Sequence, residues 1–175
     1  MKLKILLILL LPIFAGAQNN ELFSWQTGKV SNKIPMHLTL AEFEKVYKKA
    51  DSITTALPEQ LCNNETDKNG QMLYYKGARY LLVNGTLSFR ELDFSPRKNM
   101  YFQQKDDWFD HTTTLKSFGK TYPDAAALVD TEDDGTDEPW EIISLLPEEK
   151  DINCLWMFYF KKGKLRKIKC EFSCK

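Results

Sequence analysis

The chain has 175 residues, and its 24 basic and 24 acidic side chains give a formal net charge of zero. This balance gives no electrostatic basis for binding nucleic acid. An aromatic content of 13% is too high for a disordered chain, and the length suits one domain with a sizeable core.

The first 17 residues have the three parts of a secretory signal peptide. Lys2 and Lys4 precede an apolar run over 5–14, and Ala15-Gly16-Ala17 forms a small-x-small cleavage site. The apolar run is shorter than the roughly 20 residues that cross a bilayer, and no later run is longer. We therefore expect an exported protein, periplasmic or secreted, whose single mature domain spans residues 18–175 without a membrane anchor.

The first predicted element of the mature domain is an amphipathic helix. Thr39-Leu40-Ala41-Glu42 forms a capping box, in which the Thr39 hydroxyl accepts from the Glu42 amide and the Glu42 carboxylate reaches back. Apolar residues follow at helical spacing up to Ala50. The pattern predicts a helix of about 12 to 14 residues with one face on the core.

Aromatic and β-branched residues dominate after the polar loop between Pro58 and Gly70. The pattern over Gln71–Phe94 predicts two strands, with Asn84-Gly85 as a possible hairpin turn. A short strand is expected at Met100–Gln104.

A short helix is predicted from about Thr112 to Phe118. Gly119 then ends the helix, and Pro123 is expected to block a restart. A strand at Trp140–Leu146 follows an acidic loop.

The chain ends in a predicted β-hairpin, in which Cys154–Phe160 and Lys164–Phe172 flank Lys161-Lys162-Gly163. A three-residue loop would place Trp156 opposite Ile168 and Cys154 opposite Cys170, which keeps one face apolar. The predicted fold class is therefore α+β, with one or two short helices packed on a single antiparallel β-sheet that ends in this C-terminal hairpin.

The mature domain contains four cysteines, Cys62, Cys154, Cys170 and Cys174. An even number in an exported protein favours disulfides over metal binding. The hairpin register favours Cys154–Cys170 with Cys62–Cys174. Cys170–Cys174 with Cys62–Cys154 is the main alternative, and free buried thiols are a third.

The C-terminal third of the sequence resembles a known group of small binding domains. Residues 112–172 run from the short helix through Gly119, Tyr122-Pro123 and a strand led by Trp140 to the hairpin around Lys162-Gly163. This order is similar to the helix–glycine–strand–hairpin unit of β-lactamase-inhibitor-protein-like domains and related envelope-assembly lipoproteins. The resemblance implies a curved antiparallel sheet that, directly or through its loops, binds another protein. It assigns no functional residues.

An acidic loop matches part of a calcium-binding pattern. Asp130, Glu132, Asp134, Gly135 and Glu141 fall on positions 1, 3, 5, 6 and 12 of an EF-hand-type loop. Glu at position 3, a proline inside the loop and a following strand depart from that pattern. The loop is therefore either a Ca²⁺ site, structural or hydrolytic, or a solvated acidic turn.

Residues 106–111 form a second cluster of carboxylates with an imidazole. The segment Asp106-Asp107-Trp108-Phe109-Asp110-His111 has the residue types of a hard-metal or acid–base site. The alternative is that Asp110 or Thr112 caps the next helix while Trp108 and Phe109 pack inward.

Charge is segregated near the C-terminus. Residues 124–151 hold eleven acids and one lysine, and residues 161–175 hold seven bases and one acid. The two segments are expected to neutralise each other or to form a two-signed surface for a partner.

No catalytic motif supports an enzymatic function, so the first hypothesis is an exported protein-binding domain: an inhibitor, an immunity factor or an envelope adaptor. Its expected contact residues lie on the hairpin face that alternates with the core, namely Leu155, Met157, Tyr159, Lys167 and Lys169. The alternatives are the metal-binding module above and a small-ligand carrier with its pocket between the first helix and the sheet.

Overall fold

The computed structural model describes residues 21–47, 49–61, 69–95 and 99–173. The predicted signal peptide and the cysteines Cys62 and Cys174 lie outside the described residues.

The described chain folds into short strands and three helices. The strands are β1 (Leu22–Phe23), β2 (Lys29–Val30), β3 (Ile34–Pro35), β4 (His37–Thr39), β5 (Ser52–Thr55), β6 (Gln71–Tyr75), β7 (Ala78–Val83), β8 (Thr86–Asp93), β9 (Phe102–Gln104), β10 (Asp107–Phe109), β11 (Asp130–Glu132), β12 (Trp140–Pro147), β13 (Cys154–Lys161) and β14 (Lys164–Phe172). The helices are α1 (Leu40–Tyr47), α2 (Leu115–Thr121) and α3 (Pro123–Ala126), and a 3-10 turn spans Pro58–Gln60.

The strands form two sheets, so the prediction of a single sheet was wrong. The large sheet has the order β1-β12-β13-β14-β8-β7-β6-β5, with β11 paired to β12 and β4 paired to β8. The small sheet has the order β10-β9-β2-β3. It was missed because β2 and β3 are two residues each and carry no alternating pattern to detect. The mixture of sheets and short helices agrees with the α+β class.

The first helix begins as predicted and is shorter than expected. The Glu42 amide donates to Thr39 Oγ1 at 3.2 Å, and the Thr39 amide donates to Glu42 Oε2 at 2.8 Å, which confirms the capping box. The helix is observed over Leu40–Tyr47, and Ala50 packs against the core outside it.

The second helix and its continuation differ from the prediction. Thr114 caps α2, and Gly119 lies inside the helix instead of ending it. A Cβ atom at Gly119 would meet the Ala126 Cβ at 3.0 Å, so glycine allows α2 and α3 to pack closely. Pro123 does not block a restart; it begins α3, where the missing N–H of proline costs no helical hydrogen bond.

Residues 71–94 contain three strands where the sequence predicted two. The turn at Asn84-Gly85 is confirmed, and its φ values of 49° and 77° are typical of a two-residue hairpin loop. A second turn of the same kind occurs at Lys76-Gly77, with φ values of 50° and 92°. Sequence analysis missed this turn because lysine at its first position gives a weak turn signal.

The predicted register of the C-terminal hairpin was wrong. Lys162-Gly163 forms a two-residue turn in place of the predicted three-residue loop. A register shift between Tyr159 and Phe160 then moves the pairing by one residue along the rest of the hairpin. Trp156 therefore lies opposite Cys170, and Cys154 lies opposite Phe172. The apolar face is preserved because the bulge inserts one residue and so restores the alternation.

The structure contains the Cys154–Cys170 disulfide even though the two cysteines are not directly opposite each other. They form a diagonal pair with Cα atoms 5.9 Å apart, well within the range for a disulfide. Both are buried.

The large sheet has one face on the main core, to which the helices and the small sheet attach, and a smaller buried cluster of Ala56, Met72 and Leu81 lies on the opposite face over β6 and β7. Aromatic rings of the small sheet and of α2 pack against β13: Phe102 lies 5.5 Å from Trp156, and Phe118 lies 4.7 Å from Phe158, measured between ring centroids. Phe43 of α1 also belongs to this core. We call this side the core face. The opposite side, the outer face, consists of the alternate residues of the same strands.

Candidate functional site

The outer face of β13 and β14 contains all five predicted contact residues. Leu155, Met157 and Tyr159 alternate along β13 with buried core residues. Met157 lies opposite Lys169 and Tyr159 opposite Lys167, so these side chains share the outer face. They are half-buried because they pack beside one another on the strands.

An aromatic pair with two cations lies at one end of the outer face. The rings of Trp140 and Tyr159 are 5.9 Å apart and nearly perpendicular. Lys161 Nζ lies 4.8 Å from the centre of the Trp140 ring, and Lys167 Nζ lies 5.2 Å from that of Tyr159. Such cation–π contacts are worth about 0.5–1 kcal/mol each at exposed sites. We call Trp140, Tyr159, Lys161 and Lys167 the aromatic–lysine cluster.

Sequence analysis named Tyr159 and Lys167 but missed Trp140 and Lys161 as members of this cluster. Trp140 was identified only as the start of a strand. Its place on the outer face follows from the register, in which Ile142 lies opposite Tyr159. Trp140 and Ile142 are two residues apart and so share a face.

The phenol in the aromatic–lysine cluster stays neutral in ordinary conditions. Burial, together with the nearby carboxylates of Glu171, Glu132 and Glu91, raises the pKa of Tyr159 to about 12. A neutral phenol beside two lysines presents a hydrogen-bonding hydroxyl without adding negative charge.

The acidic loop and the basic hairpin contact each other. Lys161 Nζ lies 2.8 Å from Asp134 Oδ2 and donates at 2.8 Å to the Thr136 hydroxyl. Lys162 and Glu138 form a looser pair at 3.6 Å. The hydrogen bond from Lys161, followed by those from Thr136, holds the pKa of Asp134 well below its usual range. These contacts fix Lys161 above Trp140.

A buried carboxylate lies next to the lysines. Glu91 is only 6% exposed and forms an ion pair with Arg79, which lies directly opposite on β7. Lys167 Nζ is 4.0 Å from the same carboxylate. A buried charge of this kind requires its partners to stay in place, so the ion pair fixes the positions of Arg79 and Lys167.

A shallow cavity extends the outer face toward β7. It measures about 270 Å³, and its lining includes Arg79, Arg90 and Lys169 together with Glu59 and Glu171. The outer face is therefore concave and of mixed charge at this end, and aromatic at the other.

The structure does not gather the four predicted calcium ligands into one cluster. Asp130 and Glu132 lie in β11, which pairs with β12, and the Asp134 carboxylate is held by Lys161. Glu141 lies opposite Thr131 in the same pairing. No group of three or more metal-ligating side chains occurs among the described residues.

The second acidic cluster builds a turn before α2. Asp110 Oδ1 accepts hydrogen bonds from the amides of Thr112 at 2.7 Å and Thr113 at 3.2 Å. The alternative prediction was that Trp108 and Phe109 both pack inward. Phe109 does so, whereas Trp108 is 71% exposed. The capping residue of α2 is Thr114, and not Asp110 or Thr112 as predicted.

No protein-family model, curated protein or solved structure matches this chain. Within the described ranges, no helix is long and apolar enough to cross a bilayer.

Proposed function

We propose that this chain is an exported, non-enzymatic protein-binding domain, such as an inhibitor, an immunity factor or an envelope adaptor. The observation on which this proposal chiefly depends is the aromatic–lysine cluster on the outer face of the sheet. The helices and the small sheet pack against the core face through residues such as Phe43, Phe118 and Phe102. A small buried cluster, Ala56, Met72 and Leu81, covers the outer face over β6 and β7, so the part on which a partner can dock is that of β12, β13 and β14.

The composition of this face supports protein binding. Tryptophan, tyrosine, methionine and arginine are enriched at the centres of protein interfaces, and the outer face offers Trp140, Tyr159, Met157 and Arg79. The charged side chains at its rim carry both signs, which favours a specific partner over nonspecific attraction. Ion pairs already hold Lys161 and Lys167, so less side-chain entropy is lost on binding.

The Cys154–Cys170 disulfide supports export. Disulfides persist in oxidising compartments such as the periplasm and the extracellular space. The predicted signal peptide is the second support, and together they indicate where a partner should be sought.

The proposal is tested by replacing Trp140 and recovering bound proteins. Tagged mature protein, its Trp140→Ala variant and a Trp108→Ala control would be incubated with envelope and culture fractions of the cells that make it. Trp108 is the matched control because it is an exposed tryptophan on the small sheet, away from the aromatic–lysine cluster. Proteins retained by each bait would be quantified by mass spectrometry.

We expect one protein to be retained at near-equal stoichiometry by the wild type and by Trp108→Ala. Trp140→Ala should lose at least ten-fold of it, as expected when an aromatic anchor is removed from an interface. Lys169→Glu, which leaves the aromatic pair intact, should weaken retention as well. Equal retention by all variants, or no retained protein, would contradict the proposal.

A further inference from the structure

Among the residues that the structure describes, the large sheet ends at β5, whose second edge pairs with no other described strand. β5 pairs with β6 in a regular antiparallel register from Ser52–Tyr74 to Thr55–Gln71. The register continues to Ala56, whose amide donates to the Gly70 carbonyl at 2.9 Å. Hydrogen-bonded and non-hydrogen-bonded pairs alternate in such a ladder. The backbone N–H and C=O groups of Ile53 and Thr55 therefore point away from β6, toward the open edge.

Other sheet edges within the described residues are protected in the usual ways, whereas β5 is not. β11 carries Asp130 and Glu132, β10 carries Asp107, β3 contains Pro35, and β1 and β4 have only two and three residues. Charges, prolines and short lengths are the devices that keep an edge from pairing with another chain. β5 has four exposed residues, Ser52–Thr55, with neither charge nor proline.

A groove with apolar residues and a charged rim of Glu44, Lys49 and Asp51 runs along β5 on the core side. It has a volume of about 280 Å³ and lies between β5 and α1, with Leu40 and Phe43 contributed by the helix and Ile53 and Leu73 by the strands. Ile53 lies opposite the buried Leu73, so its side chain points to the same side, and it is 44% exposed. This volume is slightly below the roughly 300–1,000 Å³ of pockets for drug-sized ligands. It suits one or two apolar side chains of a peptide.

The edge and the groove are held in place by hydrogen bonds of the described chain. The Asp51 carboxylate accepts from the Lys76 amide at 2.6 Å, and the Asp51 amide donates to the Tyr74 carbonyl at 2.9 Å. These bonds tie the start of β5 to the turn between β6 and β7. A preformed edge lowers the cost of binding because the strand is already ordered.

We propose that β5 and the groove beside α1 bind an extended peptide segment of a partner protein by strand addition. The peptide backbone hydrogen-bonds to the outward groups of Ile53 and Thr55, and an apolar peptide side chain fills the groove next to Phe43. Strand addition combines main-chain hydrogen bonds for affinity with side-chain pockets for specificity. A second copy of this chain is a poorer occupant. Pairing β5 with itself buries four strand residues on each side, against the roughly 20–30 residues a side of a stable interface.

The test begins with linear seven-residue peptides displayed on phage and selected against the mature protein. A selected peptide would be synthesised with a fluorescent label, and its binding measured by fluorescence polarisation. Thr55→Pro removes one outward N–H without removing a bond to β6, since proline is tolerated on the open side of an edge strand. Thr54→Ala is the matched control because the Thr54 amide points toward β6. Melting temperatures would establish that both variants are folded.

We expect Thr55→Pro to weaken peptide binding at least ten-fold and Thr54→Ala to change it less than two-fold. Bound peptide should slow amide hydrogen exchange at Ile53 and Thr55 at least ten-fold, with little change at Thr54. Failure to select any peptide that binds in solution, or equal binding to Thr55→Pro, would overturn the proposal. A concentration-dependent dimer that Thr55→Pro abolishes would also overturn it and assign the edge to a second copy.

Discussion

The two faces of the C-terminal hairpin are built from alternate residues of the same strands, yet they have different kinds of contact. On the core face, the rings of Trp156 and Phe158 are fully buried and pack against rings from β1, the small sheet and α2. On the outer face, Tyr159 and Met157 pack beside lysines. The difference indicates that the core face provides most of the stability, and the outer face is the one on which we propose that a partner binds.

The largest difference between the two faces is expected when a core ring and its outer neighbour are each removed. Phe158→Ala should lower the free energy of unfolding by about 3–5 kcal/mol, because it leaves a cavity among packed rings. Met157→Ala, on the outer face, should cost about 1 kcal/mol or less. Urea unfolding of both variants measures the difference. Similar losses would show that the outer face is also part of the stabilising core.

A smaller loss of stability is expected when the hydrogen bonds of Glu149 are removed, which hold Trp25 over Trp156. Glu149 accepts hydrogen bonds from the Ser24 hydroxyl at 2.7 Å and from the amides of Trp25 and Gln26 at 2.8 and 2.9 Å. Trp25 then packs 5.7 Å from Trp156, measured between ring centroids. Burial alone would raise the pKa of Glu149, but these hydrogen bonds outweigh it and hold the pKa below its ordinary value of 4.5.

The lowered pKa makes this contact dependent on pH. A carboxylate with a lowered pKa in the folded state stabilises the fold fully above pH 4.5, and this stabilisation is lost as the pH falls below that value. Glu149→Gln should therefore reduce stability by about 1 kcal/mol at pH 7, and this loss should shrink as the pH falls below 4.5. Glu148→Gln is the control, since the Glu148 side chain makes none of these bonds. Thermal unfolding across pH 3–7 measures both, and parallel curves for wild type and Glu149→Gln would contradict this role.

Local signals predicted those parts of the fold that local interactions determine. The capping box at Thr39 and Glu42 and the turn at Asn84-Gly85 each depend on residues no more than three positions apart. Hydrophobic alternation also identified the hairpin strands and their outer-face residues. The register was wrong because a β-bulge moves every later pair by one residue, and nothing in the alternation reveals where the extra residue sits.

The parts that sequence analysis missed depend on contacts between distant segments. Trp140 joins Tyr159 only through the pairing of β12 with β13, and Glu149 binds residues more than 120 positions away. The groove beside β5 was anticipated only as a possible pocket between the first helix and the sheet. Its open strand edge depends on the order of the strands, which the pattern of side chains does not encode.

Lysine footprinting tests the central claim, that the outer face binds a protein, most directly. The mature protein would be acetylated briefly, alone and in the presence of envelope and culture fractions of the cells that make it, and the labelled lysines quantified by mass spectrometry. We predict at least three-fold protection of Lys167 and Lys169 on the outer face, with Lys116 and Lys120 on α2 unchanged. Equal labelling of all four lysines under both conditions would contradict the claim.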